Sequence, residues 1–220
     1  ALFIGEEDFK KGLRYYLKKH SYNNTRTIDL WEAFEKASGK PVKKVMKSWT
    51  QKMGFPIICL EKNGDGLKIK QERFFLNRKE RLSNTNKDLW QIHLCYKTEG
   101  KVKNLLLDKK NINLKENSIE KLNHNEVSFI KVKYDQASFK KIENEIKEGR
   151  MNHIDKLGLI RDVFALAEGG YIKTSEALEF FLYFKNEKDY VIWDEITFGI
   201  NKIENLIDSE ELLILYNKYI

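Results

Sequence analysis

The sequence predicts an α+β, multi-domain fold: N-terminal helices, a small antiparallel β-sandwich, and a C-terminal α-helical array of the α-solenoid kind. Three observations carry this. Apolar residues recur at three- and four-residue spacing over 1–52 and again over 136–220. Between them the period falls to two, with turn signals at intervals of about ten residues. The charge also changes sign near Asp135: the net is +6 over 1–52, +6 over 53–135 and −5 over 136–220, for +7 overall. The chain therefore divides into 1–54, 55–135 and 136–220.

The first third reads as three helices. Phe9, Leu13, Tyr16, Leu17 and His20 form one stripe. Glu6, Glu7 and Asp8 sit in its first turn and Lys18 and Lys19 in its last, as the helix dipole favours. Thr27 is the expected N-cap of a second helix carrying Leu30, Trp31 and Phe34, which Ser38-Gly39 ends. Pro41 suits the first position of a third, with Val42, Val45, Met46 and Trp49 on one face. Gly54 and Pro56 stop it.

The middle reads as strands. Pro56–Leu60 is short and apolar, and Asn63-Gly64-Asp65-Gly66 is a strong hairpin signal. Leu67, Ile69, Gln71 and Arg73 alternate with charged residues; Trp90, Ile92, Leu94 and Tyr96 alternate with Gln91, His93 and Cys95. Lys101–Leu107, Ile119–Asn123 and Val127–Tyr134 supply three more. The polar stretch Leu76–Lys87 reads as a mobile loop.

The last third returns to helical period. Phe139, Ile142 and Ile146 share a face that Gly149 ends. Leu157, Ile160, Val163, Phe164 and Ala167 make the next helix, stopped by Gly169-Gly170. Thr174 caps one with Leu178, Phe181 and Leu182, and Tyr190–Leu206 and Glu210–Ile220 follow. Successive helix pairs fit an α-solenoid, although no clean sequence repeat is present.

Composition excludes several classes. With 41% hydrophobic and 33% charged residues, the chain can bury a core and is not disordered. Cys59 and Cys95 are too few for a disulfide framework, so a reducing, cytoplasmic setting is expected. No run reaches roughly 18 apolar residues, so no membrane span is expected. The start, Ala1-Leu2-Phe3-Ile4-Gly5, lacks the basic region of a signal peptide and reads as a cut end. Only 7 of the 40 basic residues are Arg, and the lysines are interleaved with acids, so a solvated surface is favoured over nucleic-acid binding.

Catalytic motifs are missing. His20, His93, His124 and His153 stand too far apart for an H-E-x-x-H pair, and the sequence has no CxxC, Walker loop or G-x-S-x-G. His20 is expected at a helix end, and His93 outward on a strand. Cys59 and Cys95 read as buried, inert thiols. Trp31, Trp49, Trp90 and Trp193 read as core. Asp155 and Asp162, seven residues apart on nearly one helix face, read as helix-end charge and inter-repeat hydrogen bonding rather than acid/base or metal chemistry. No catalytic, cofactor-binding or metal residue is assigned. Phe181, Tyr183 and Phe184 are candidates for the wall of a peptide chamber, with core burial the simpler reading.

The residues also carry a resemblance. Gly5–Tyr22 (Gly-Glu-Glu-Asp-Phe-Lys-Lys-Gly-Leu-Arg-Tyr-Tyr-Leu-Lys-Lys-His-Ser-Tyr) resembles the end of the catalytic domain of zinc aminopeptidases. These are gluzincins of the puromycin-sensitive, endoplasmic-reticulum and tricorn-interacting-factor type. The pattern continues through Thr27–Trp31, Ala37–Val42, Met46–Thr50 and Gly54–Ile58. Trp90–Tyr96 resembles the family's Trp-x-Ile-Pro-Leu-x-Tyr strand, with His93 in place of Pro. Ser128-Phe129-Ile130-Lys131 stands where the family has Gly-x-Tyr-Arg. Asp155–Ala167 and Asn186–Trp193 resemble the opening of its C-terminal helical domain.

That resemblance implies a helical tail of the peptidase domain over 1–54, the β-sandwich over 55–135, and the start of the helical domain over 136–220. It implies a parent that removes N-terminal residues from peptides with zinc held by H-E-x-x-H and a downstream Glu, none of which lies in this chain. The chain itself is then expected to be non-catalytic and to hold no cofactor. It would brace the catalytic domain and wall the peptide chamber. Its expected partners are the parent's N-terminal and catalytic domains and peptide substrates, not nucleic acid or membrane. Two rivals are a stand-alone helical-repeat interaction scaffold and a basic nucleic-acid binder.

Overall fold

A computed structural model describes residues 2–85, 87–205 and 207–219. Three helices come first: α1 (Glu6–Lys19), α2 (Thr27–Ser38) and α3 (Val42–Thr50). Ile4, Phe34 and Val42 centre a small core of their own, with Phe9 stacked on Phe34 at 4.9 Å between ring centroids. Gly12 lets α1 and α2 approach closely, since a Cβ there would lie 2.6 Å from the Phe34 ring. Helix starts differ by one residue from expectation. Thr27 is the first helical residue rather than the cap, because the Asp29 carboxylate accepts the Arg26 N–H at 2.8 Å. Likewise Pro41 caps α3, and Lys173 precedes the helix expected to be capped by Thr174.

Two small sheets follow. One has the order β5 (Asn111–Leu114), β2 (Gly66–Arg73), β1 (Pro56–Asn63), β7 (Lys131–Tyr134); the other has β4 (Lys101–Leu107), β3 (Ile92–Thr98), β6 (Lys121–Leu122). Ile58, Leu60, Leu67 and Ile69 from the first share one core with Trp90, Ile92, Leu94 and Leu122 from the second side. Each such side chain contributes about 1.5–3 kcal/mol by leaving water. Gln71 is buried among them with its amide satisfied: it donates to Trp90 O and Lys109 O and accepts from Trp90 N at 2.8 Å.

Four details differ from expectation. The sandwich is not wholly antiparallel: β1 and β7 pair in parallel, Ile58 opposite Val132, because the chain makes the second sheet before returning to the first. The strands expected at Ile119–Asn123 and Val127–Tyr134 shrink to β6 and β7. Asn123, Asn125 and Glu126 all take positive φ, which ends the extended chain in a tight turn at His124–Glu126. β5 was not expected, its Ile112 and Leu114 being flanked by polar residues. Finally, the segment expected to be a loop holds α4 (Arg78–Ser83), capped by Asn77. Arg81 fixes it by donating to Gly169 O and Gly170 O, both at 3.2 Å, while stacking over Tyr171. Asn86 of that expected loop lies outside the described residues.

The helices α5 (Gln136–Lys147), α6 (His153–Glu168), α7 (Thr174–Phe181), α8 (Tyr190–Glu204) and α9 (Glu210–Tyr219) complete the fold. Leu206 and Ile220, the expected ends of the last two, lie outside the described residues. Ile142, Ile146, Ile160, Val163, Phe180 and Phe184 extend the sandwich core without a break. Sandwich and helices therefore share one hydrophobic core. Among the described residues, no helix is long and apolar enough to cross a membrane.

Candidate functional site

The most concentrated chemistry lies where α6 docks on the sandwich. The positive-φ turn after β6 turns its polar side chains inward toward α6. Lys121, its side chain 2% exposed, donates from Nζ to Leu122 O at 2.7 Å and to Glu126 Oε1 at 2.8 Å. Burial alone would push its pKa down, but the Tyr134 oxygen, Glu126 and Asp162 together hold it above the ordinary lysine value. Next along the turn, His124 Nδ1 shares a 2.6 Å hydrogen bond with Asp155 Oδ2 of α6. Asp155 Oδ1 also accepts the Asn125 N–H at 2.7 Å, and Asn152 donates to Oδ2 at 2.8 Å.

Two turns further along α6, Asp162 accepts the Val132 N–H of β7 at 3.1 Å and lies 3.3 Å from Lys131 Nζ. Burial pushes the Asp162 carboxyl up to about 7, with Lys131 and Lys121 pulling the other way. Tyr134 is buried beside them. It donates to Leu122 O at 3.2 Å, and accepts the Leu122 N–H at 2.9 Å. Asp155 and Asp162 thus bond to the sandwich turn and to edge strand β7. The expected inter-repeat hydrogen bonds are replaced by bonds between helix and sheet. Lys121 and His124 were missed from sequence; the only signal was Lys-Leu-Asn-His, with polar residues at both inward and outward phases.

Beside this cluster, a cleft of about 520 Å³ opens between β7, α5, α6 and α7. Phe139, Phe180 and Tyr183 wall it, and Glu143, Glu176 and Glu179 stand around it. Of the three chamber-wall candidates, Phe181 (7% exposed) and Phe184 (1% exposed) pack in the core, so core burial accounts for them. Only Tyr183 borders the cleft.

The other singled-out residues fall as follows. His20 is the C-cap of α1, with Nε2 buried and unpartnered among the described residues. His93 is half-buried on β3 and meets the Phe3 ring edge-on at 5.8 Å, rather than facing out into solvent. Burial, reinforced by Lys40, lowers its pKa. Cys59 is half-buried and Cys95 buried, and both are free; burial raises both thiols, Cys59 to about 11, so neither is an activated nucleophile. Trp90 is fully buried. Trp31 and Trp49 are half-buried, and the Trp49 indole donates to Gln91 O at 3.0 Å. Trp193 departs from the core reading: it is 39% exposed, and its indole donates to Glu187 O at 2.9 Å. Among the described residues, no group of three or more His, Cys, Asp or Glu is placed to hold a metal ion.

Comparison with known proteins fits this arrangement. Residues 120–220 match the ERAP1-like C-terminal domain, and residues 1–49 match the peptidase family M1 domain. Aminopeptidase 2 of Candida albicans is 36% identical over 214 residues, covering 95% of this chain and 23% of that protein. Tricorn protease-interacting factor F2 of Thermoplasma volcanium is 32% identical over 212 residues (96% and 26%). Glutamyl aminopeptidase of Bitis rhinoceros is 32% identical over 226 residues (96% and 23%). The chain spans about a quarter of the length of these relatives. The first match ends in α3, and the second begins beside β6 and takes in β6 and β7, so strands β1 to β5 lie between the two. The chain belongs to the M1 aminopeptidase family, and it corresponds to the C-terminal part of such an enzyme.

Proposed function

We propose that this chain is the non-catalytic C-terminal region of a zinc aminopeptidase that removes N-terminal residues from peptides in the cytoplasm. Residues 1–54 are the tail of its catalytic domain, 55–135 its sandwich, and 136–220 the start of its helical domain. M1 aminopeptidases generally work through zinc, which polarises the scissile carbonyl and activates water. The donor set here does not fit that ion, because the four histidines stand apart and no described cluster of ligating groups accompanies them. The role assigned to this chain is therefore mechanical: it braces the catalytic domain and walls the peptide chamber.

The observation that supports this reading is the bonding and packing at both seams. The N-terminal helices are tied to the sandwich by Trp49 donating to Gln91 O, Gln91 N donating to Ser48 Oγ, and Lys52 donating to Leu89 O. The sandwich in turn shares its core and its buried charges with α6. The direct test supplies the 220-residue chain with zinc and fluorogenic aminoacyl substrates. No release above the zinc-only blank is expected, and zinc-dependent hydrolysis would overturn the non-catalytic assignment.

A further inference from the structure

We propose that the cleft between the end of β2 and the α4 segment binds a small oxyanion of the phosphate class, with Arg73 as its principal donor. This goes beyond the aminopeptidase reading, because the ligand is neither a peptide nor zinc and its binding is measured on the 220-residue chain alone. The cleft volume, about 590 Å³, lies within the roughly 300–1,000 Å³ typical of ligand sites.

The state of Arg73 points to the ligand. The residue is half-buried, and its Nε is buried without a partner. Among the described residues its guanidinium makes no hydrogen bond and no ion pair. A partly desolvated cation with no acceptor is costly, and an anion beside it removes that cost. Packing holds the group in place instead. Gly54, with φ +79°, lies against it where a Cβ would come 2.8 Å from Nε, and the Phe75 ring centroid is 5.0 Å from Cζ. The guanidinium is thus positioned with its Nη donors unspent.

Backbone ties set further cations around it. Gln71 lies two residues before Arg73 on β2, and its N–H donates to Lys110 O at 2.9 Å, which fixes Lys110 beside the strand. Arg81 reaches in from α4, anchored by Gly169 O, Gly170 O and the Tyr171 ring. The lining holds four cations, Arg73, Arg81, Lys87 and Lys110, against two acids, Glu72 and Asp88. Glu72 is shared with Lys70, at 2.9 Å. The excess of two positive charges matches a phosphate dianion better than a single carboxylate, and it repels a metal cation. Planar guanidinium donors also suit phosphoryl oxygens.

The test is titration calorimetry of the 220-residue chain at low ionic strength and about pH 7.5, where phosphates are largely dianionic. The probes are inorganic phosphate, phenyl phosphate and succinate, the last a dianion made of carboxylates. Saturable binding of either phosphate, weakening as salt rises, is expected, with succinate much weaker. Tighter binding of phenyl phosphate would assign the site to an organic phosphate, and equal binding to the free ion. Arg73→Gln should weaken binding about tenfold or more, the scale of a lost charge-assisted contact. Lys110→Gln, at an exposed position, should weaken it severalfold, while Lys101→Gln, at the β3–β4 turn, should leave it unchanged. Thermal melts would verify that the variants stay folded. No saturable phosphate binding, equal binding of succinate, or the same affinity in the folded Arg73 and Lys110 variants as in the wild type would overturn the proposal. So would an equal loss in the Lys101 variant, which marks a general charge effect.

Discussion

Replacing Lys121 by Met tests the docking cluster at its centre. Met keeps most of the chain length, so the change is chiefly loss of the ammonium. Two carbonyl acceptors, Leu122 O and Asn123 O, then lose a donor, and Glu126 loses its 2.8 Å partner. Removing one member of a buried ion pair costs about 3–5 kcal/mol, because the other charge stays behind in a poor solvent. Two features favour the low end. Glu126 is 28% exposed and regains some water, and Asp162 relieves part of the imbalance by holding a proton. The expected loss is about 3 kcal/mol, read from urea unfolding followed by tryptophan fluorescence, since Trp90 lies in the same core. Adding Glu126→Gln removes the stranded charge, and should recover about 1–2 kcal/mol of that loss. A single-variant loss under about 1 kcal/mol, or a double variant that loses the sum of the two single effects, would refute the reasoning.

Three further outcomes are expected. Gly158→Ala should destabilise by about 1–3 kcal/mol or more in urea, because a Cβ there runs into the Glu126 carboxyl and pushes it off Lys121. Asp162→Asn should flatten part of the pH dependence. The folded carboxyl keeps its proton up to about 7 while the unfolded one releases it near 3.8, so wild-type stability falls as pH rises between those values; melting temperatures of both proteins across that range check this. Trp49→Phe should cost about 1 kcal/mol through the lost bond to Gln91 O, and should raise hydrogen exchange in α1–α3 before the sandwich.

Much of the architecture was legible because it rests on local periods. The stripes in α1, α5 and α6, the Gly39 stop and the Asn63–Gly66 hairpin each follow from a few neighbouring residues. What stayed hidden depended on distant partners. A period of two does not say which way a neighbouring strand runs, so the parallel β1–β7 pair was invisible. The run around Val127 reads as extended, yet Asn123 bonds Ser128 and Glu126 across the turn and holds it closed. The site was half legible: the spacing of Asp155 and Asp162 marked a polar stripe on an apolar helix. Their partners His124, Lys131 and Val132 lie about 30 residues away, and Lys121 beside them looks like any surface lysine. Trp193 misled for a related reason. Helical phase marks a face as apolar but not whether anything covers it.

The central claim, that this chain is one region of a larger aminopeptidase, is tested most directly by the size of the native polypeptide. An antibody raised against the 220 residues would be used on extracts of the source cells. The chain's 26.1 kDa, divided by its 23–26% share of the relatives, gives a band at about 100–113 kDa. Its immunoprecipitate should release N-terminal residues from peptides in a zinc-dependent way. A single band near 26 kDa, with no such activity in the precipitate, would contradict the account.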